Sequence, residues 1–131
     1  MLGLDTNVLV RLLIEDDAAQ TRRARKLVDA AVSEQEAVLV SLPVLLETEW
    51  VLRSRYELPR DSILGLFRAA LEVRELVFED EAAVEEALFN WQDSRSGFSD
   101  CLIMAHNRQL GCRSTATFDV HAARLPGASA A

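Results

Sequence analysis

Apolar residues in this chain fall into short unbroken runs separated by longer stretches in which they recur every three or four positions. Leu2 and Leu4 lead into Asp5, Thr6 and Asn7, after which Val8, Leu9, Leu12 and Leu13 follow at helical spacing. The pattern predicts a short strand that gives way to a helix at the polar triplet, because Asp, Thr and Asn suit a cap or turn. Glu15, Asp16 and Asp17 break the apolar rhythm and start a second helix, with Ala24, Leu27, Val28 and Ala31 as its buried stripe. Arg22, Arg23, Arg25 and Lys26 lie mainly on its other sides and read as a solvated face. Residues 37–40, Ala-Val-Leu-Val, form the uninterrupted apolar run expected of a strand inside a parallel sheet. Pro43 stands where a helix can begin, and helical spacing continues through Tyr56 to the Leu58-Pro59 break.

The second half repeats this grammar. Ile63, Leu66, Phe67 and Ala70 share one helix face, and Val73, Leu76 and Val77 surround a further strand. Glu79 and Asp80 open a helix whose core residues are Val84, Ala87, Leu88 and Trp91. Residues 94–98 form a turn carrying Gly97. Ser99 is expected to cap a helix over 100–110, with Gly111 just past its end. A fourth strand is expected over 114–117, and the Gly, Ser and Ala residues after Pro126 read as a loose tail. Strands separated by helices imply an α/β/α three-layer sandwich around a mostly parallel sheet. Without repeats or linkers, the expected organisation is one domain over 1–127 and a flexible C-terminal tail over 128–131.

Composition narrows the chemistry. Half of the 131 residues are hydrophobic, enough for a sizeable core, and 14 Lys and Arg face 21 Asp and Glu for a net charge of −7. That balance excludes a broad basic surface for nucleic acid, but permits a nuclease with local contacts or with metal ions that reverse its site charge. Cys101 and Cys112 allow at most one bridge, which points to a reducing compartment. The first residues lack a basic signal-peptide region, and residues 37–46 are too short and too interrupted to span a bilayer. A soluble cytoplasmic protein is expected.

The acids carry the most chemistry. Asp5 follows the first strand and Asp119 the last, both at carboxyl ends, where open α/β sheets bind ligands. Asp100 begins the helix before the last strand, and Glu47 lies about one helical turn beyond the second. A cluster of such acids needs a counter-charge, and Mg2+ or Mn2+ fits an all-oxygen set. The two histidines, His106 and His121, have no zinc spacing, and there is neither a phosphate-binding GK[ST] loop nor a GxSxG elbow. Each acid also has a structural reading: Asp5 and Asp119 as helix caps, Asp100 as a charge at a helix start. His106 reads as a partly buried helix residue. Periodicity does not choose between Glu47 and Glu49.

Four segments resemble one family. The opening LDTNVLVRLL is similar to the start of the PIN-domain nucleases, and SLPVLLETEWVLRSRYEL resembles their second motif, in which a Glu shortly precedes Trp-Val-Leu. FSDCLIMAHNRQLGC resembles the third motif and TATFDVHAARLPG the fourth. The matches run in order from residue 2 to about residue 127, and the more specific likeness is to the VapC toxins of bacterial VapBC toxin–antitoxin systems. That alignment selects Glu47 over Glu49. Two departures stand out: Gly97 lies where many relatives carry an acid, and Glu49 occupies a commonly apolar position.

The resemblance implies a PIN-like sandwich with four or five strands and a metal-dependent endoribonuclease, the toxin of a type II pair. Asp5, Glu47, Asp100 and Asp119 would bind Mg2+ or Mn2+, and hydrolysis would leave 5′-phosphate and 3′-hydroxyl ends. Thr6 and Thr117 are implied water-positioning hydroxyls, and Asn7 orients the Asp5 turn. The implied partners are RNA, a VapB-like antitoxin and a second copy of the chain, within a larger toxin–antitoxin complex. Two other readings stand beside this one. A PIN scaffold can bind RNA or protein without cleaving it. A phosphatase or phosphotransferase using Asp5 is disfavoured because Asn7 stands where the haloacid-dehalogenase pattern needs a second Asp.

Overall fold

The computed structural model describes residues 1–131, which divide into two compact units, Met1–Glu79 and Asp80–Ala131. The first unit alternates strand and helix: β1 (Leu2–Gly3), α1 (Thr6–Leu13), α2 (Ala18–Ser33), β2 (Val38–Val40), α3 (Leu42–Ser54), α4 (Arg60–Leu71) and β3 (Leu76–Phe78). Its three strands pair in parallel in the order β1-β2-β3, with Leu2 opposite Val38 and Val38 opposite Leu76. Parallel neighbours cannot be joined by a tight turn, so each crossover is helical. In the central strand Val38 and Val40 are fully buried and Leu39 half-buried, while Ala37, the first residue of the expected run, is exposed and precedes the strand.

Leu9, Leu45, Leu52, Ile63 and Phe67 complete this core, and burying each contributes roughly 1.5–3 kcal/mol. Helix α2 differs from its expected face. Its buried residues are Thr21, Ala24 and Ala31, whereas Leu27 is 50% exposed. Small side chains form the contact face of α2. Leu27 is left lining a groove with Val8 and Arg11 of α1. Helix α3 starts with Pro43 in its first turn, but Ser41 makes no side-chain cap. The cap comes from the end of β3: Glu79 accepts a 2.8 Å hydrogen bond from the Leu42 N–H, while its own N–H donates to the Val40 carbonyl at 3.0 Å.

The second unit contains α5 (Glu81–Trp91), α6 (Phe98–Gln109), β4 (Thr115–Thr117), a 3-10 turn (Ala122–Arg124) and β5 (Ala128–Ala130). Helices α5 and α6 pack through Val84, Ala87, Leu88, Trp91, Phe98, Cys101, Leu102 and Ala105, all buried. The Trp91 and Phe98 rings lie 5.2 Å apart at 54°, a favourable tilted pair. Helix α6 begins earlier than its polar residues suggest: Gly97, not Ser99, is the N-cap, because Phe98 at the first helical position is pulled into the core. Gly111 ends it at φ +97°, a conformation glycine adopts without strain.

The expected loose tail is a strand. Residues 128–130 pair in parallel with β4, Thr115 opposite Ala128 and Thr117 opposite Ala130. The Thr115 N–H donates to the Gly127 carbonyl and the Ala131 N–H to that of Thr117, both at 2.8 Å. Backbone pairing and one hydroxyl contact, Ser129 Oγ to Ser114 Oγ at 3.0 Å, order this segment, so its small side chains leave no hydropathy signal. All five strands are parallel where they pair, three in one sheet and two in another, with helices flanking them. The expected α/β/α fold class is therefore present. Both cysteines are free, and no helix is long and apolar enough to cross a membrane.

Candidate acidic site at the strand ends

In the first unit, β1 ends at Gly3 and the chain turns into α1 at Asp5, which serves as its N-cap. The exposed Asp5 carboxylate accepts a hydrogen bond from the Thr6 N–H at 2.8 Å. Thr6 is itself buried, and its hydroxyl donates to the carboxylate of Glu47 on α3. One residue therefore ties two exposed acids from different elements, through its backbone to one and its side chain to the other. Asn7 does not hold the Asp5 turn in this way; it lines the groove with Arg11, Gln20 and Leu27.

Burial separates the two glutamates that spacing could not. Glu47 reaches solvent, whereas Glu49 is only 4% exposed and pairs one helical turn on with Arg53, whose Nε lies 2.8 Å from Glu49 Oε2. That hydrogen bond, reinforced by charge attraction, raises the Arg53 pKa above its ordinary value. The Arg53 guanidinium stays charged at any pH near neutrality. Between the glutamates lies Thr48, fully buried, whose hydroxyl has no hydrogen-bond partner.

In the second unit, Asp119 follows β4. Its Oδ1 accepts from the Ala122 N–H at 2.7 Å and so caps the 3-10 turn, while its own N–H donates to Thr117 Oγ1 at 3.1 Å. Thr117 thus fixes the backbone that presents Asp119. Asp100 sits half-buried in the first turn of α6, where a negative charge favours the helix dipole. His106 is half-buried on α6 and engaged with Asp80: Nδ1 lies 2.6 Å from Asp80 Oδ2. Asp80 adopts φ +51° and also caps α5 through the Ala83 N–H.

Nowhere do three His, Cys, Asp or Glu side chains gather so as to hold a metal ion. Asp5 and Glu47 belong to the first unit, and Asp100 and Asp119 to the second. The structure links Asp5 with Glu47 through Thr6, and Asp119 with Thr117. Two features of these strand ends escape the hydropathy reading. Glu79 follows β3 as Asp5 follows β1, a position visible once the strand is recognised. Phe118, 92% exposed, and Val120 flank Asp119 with apolar surface that a strand-turn pattern gives no reason to expect outside the core.

Parallel strands with acids in the loops at their carboxyl ends define an α/β protein of the kind that binds ligands at that rim. The PIN domain profile matches residues 3–128, and the chain belongs to the PIN-domain family. No curated protein matches the chain in sequence.

Proposed function

We propose that this PIN domain is an RNA-directed toxin component of a type II toxin–antitoxin pair, a divalent-metal-dependent endoribonuclease acting through Asp5, Glu47, Asp100 and Asp119. Thr6 carries the reading. A buried hydroxyl held on a solvent-facing glutamate, beside an exposed aspartate, orients acids outward, where a core needs none. Family membership supports RNA phosphodiester hydrolysis as the reaction, and the four motif acids are all retained. A VapB-like antitoxin and a second copy of the chain are the proposed partners. An antitoxin Arg set among the acids would suit their charge, since its planar fork satisfies two carboxylates at once.

A specific observation favours a second reading. A PIN scaffold that binds RNA or protein without cleavage needs no metal cluster, and the present side-chain arrangement meets that requirement more directly. One experiment separates the two. Purified chain is mixed with end-labelled RNA in Mg2+, in Mn2+ and in chelator, with binding and cleavage read in parallel. Cation-dependent cleavage that ceases in chelator supports the nuclease. Retained RNA that stays intact under every cation supports the scaffold.

A further inference from the structure

The second unit carries a cavity of about 400 Å3 that none of the motif acids lines. Its volume falls within the roughly 300–1,000 Å3 of small-ligand sites. Its walls come from the end of α5 and the turn after it (Phe89, Arg95) and from the segment after Asp119 (His121, Arg124). The charge here runs against the protein as a whole. Residues 80–131 contain seven acids and only four arginines, yet two of those arginines face this one cavity, against the single acid Asp93. Arg108, by contrast, is engaged by Glu86 at 3.3 Å. Phe89 is 68% exposed on α5, so the core does not account for its ring.

Position supplies the second argument. The 3-10 turn that contributes Arg124 is capped by Asp119 itself, through the Ala122 N–H. Cavity and motif acid therefore share one turn, with His121 and Arg124 following Asp119 in the same capped segment. An exposed aromatic beside two guanidinium groups suits a base on its π-face with a phosphate between cations.

We propose that this cavity holds one nucleotide of a single-stranded RNA flanking the Asp119 position, its base on Phe89 and its phosphate between Arg95 and Arg124. The inference rests on the RNA reading above and adds the place where the strand is gripped. Neither guanidinium nor the ring takes part in the acidic site, so cleavage and grip are separable.

The test measures binding of a labelled single-stranded RNA of mixed sequence by anisotropy in chelator, over a salt series, with duplex RNA as a second probe. Phe89→Ala is expected to weaken single-strand binding about tenfold, within the range of base–aromatic stacking. Arg95→Ala with Arg124→Ala is expected to flatten the log K against log salt slope by about 1.4, two phosphate contacts at about 0.7 each. All three side chains are at the surface, and unchanged circular dichroism establishes that the variants fold. Binding of the variants indistinguishable from the parent overturns the cavity assignment while leaving the RNA reading intact. A parent chain that retains no RNA overturns both. Loss of self-association with RNA affinity unchanged identifies the cavity as a protein contact and also overturns the assignment. Persistent RNA binding by a parent that cleaves nothing removes the nuclease reading and leaves the cavity standing.

Discussion

Replacing Thr6 by Val keeps the side-chain shape and removes only the hydroxyl that reaches Glu47. Packing in this buried position is preserved, so the loss isolates one hydrogen bond to a carboxylate. Bonds to charged groups are worth about 1.5–3 kcal/mol, and because Glu47 is exposed, water recovers part of that. A cost of about 1.5 kcal/mol follows, which for a chain of this size lowers Tm by about 5 °C. The second consequence is functional. Glu47 loses the contact that fixes its carboxylate beside Asp5, and removal of an orienting hydrogen bond of this kind costs about tenfold or more in activity. Differential scanning fluorimetry reads the first effect and RNA cleavage in Mn2+ the second. Thr6→Ser restores the donor and is expected to recover most of the activity, at a small packing cost. A Thr6→Val chain as stable and as active as the parent refutes the idea that Thr6 organises the site.

Other expectations follow from single contacts. Glu47→Gln is expected to reduce cleavage by at least about a hundredfold with little change in Tm, since it alters an exposed acid at the proposed site. Glu49→Gln should keep most activity but lose about 1 kcal/mol of stability, because it weakens a buried partner of the half-exposed Arg53; equal activity losses in the two variants would show that the division of roles is wrong. Thr48→Val is expected to raise stability by about 1 kcal/mol by removing a buried hydroxyl with no partner, and a lowered Tm would contradict this. Gly127→Ala should cost at least about 1 kcal/mol, since φ is +83° and an added Cβ would lie 2.6 Å from Arg108 Cδ; urea unfolding with an unshifted midpoint would show that β5 tolerates it.

Hydropathy alone fixes most of the scaffold because the buried strands and helix faces obey a period. Residues 38–40 of the run at 37–40 become β2, and Val84, Ala87, Leu88 and Trp91 form the inner face of α5 as their spacing predicts. Strand β5 is illegible for the opposite reason: Ala, Ser and Ala are ordered by main-chain bonds to β4, which leave no trace in side-chain type. Leu27 misleads because helix contact in α2 is made by smaller residues around it. The acids are legible as strand-end and helix-start residues, but their division of labour is not. Whether a glutamate faces Arg53 or solvent depends on rotation of α3 against its neighbours, and two positions on adjacent sides of an apolar stripe look alike in sequence. Glu79 shows the same limit, since a cap supplied from a different element has no local signature.

Cleavage of RNA by the purified chain under controlled divalent cation tests the central claim most directly. End-labelled RNA is incubated with parent and Glu47→Gln protein in Mg2+, in Mn2+ and in excess chelator, and the product termini are mapped. The account predicts discrete cuts with 5′-phosphate and 3′-hydroxyl ends, present only with cation and nearly absent in the variant. Undiminished cutting in chelator, or cutting by Glu47→Gln equal to the parent, would contradict it.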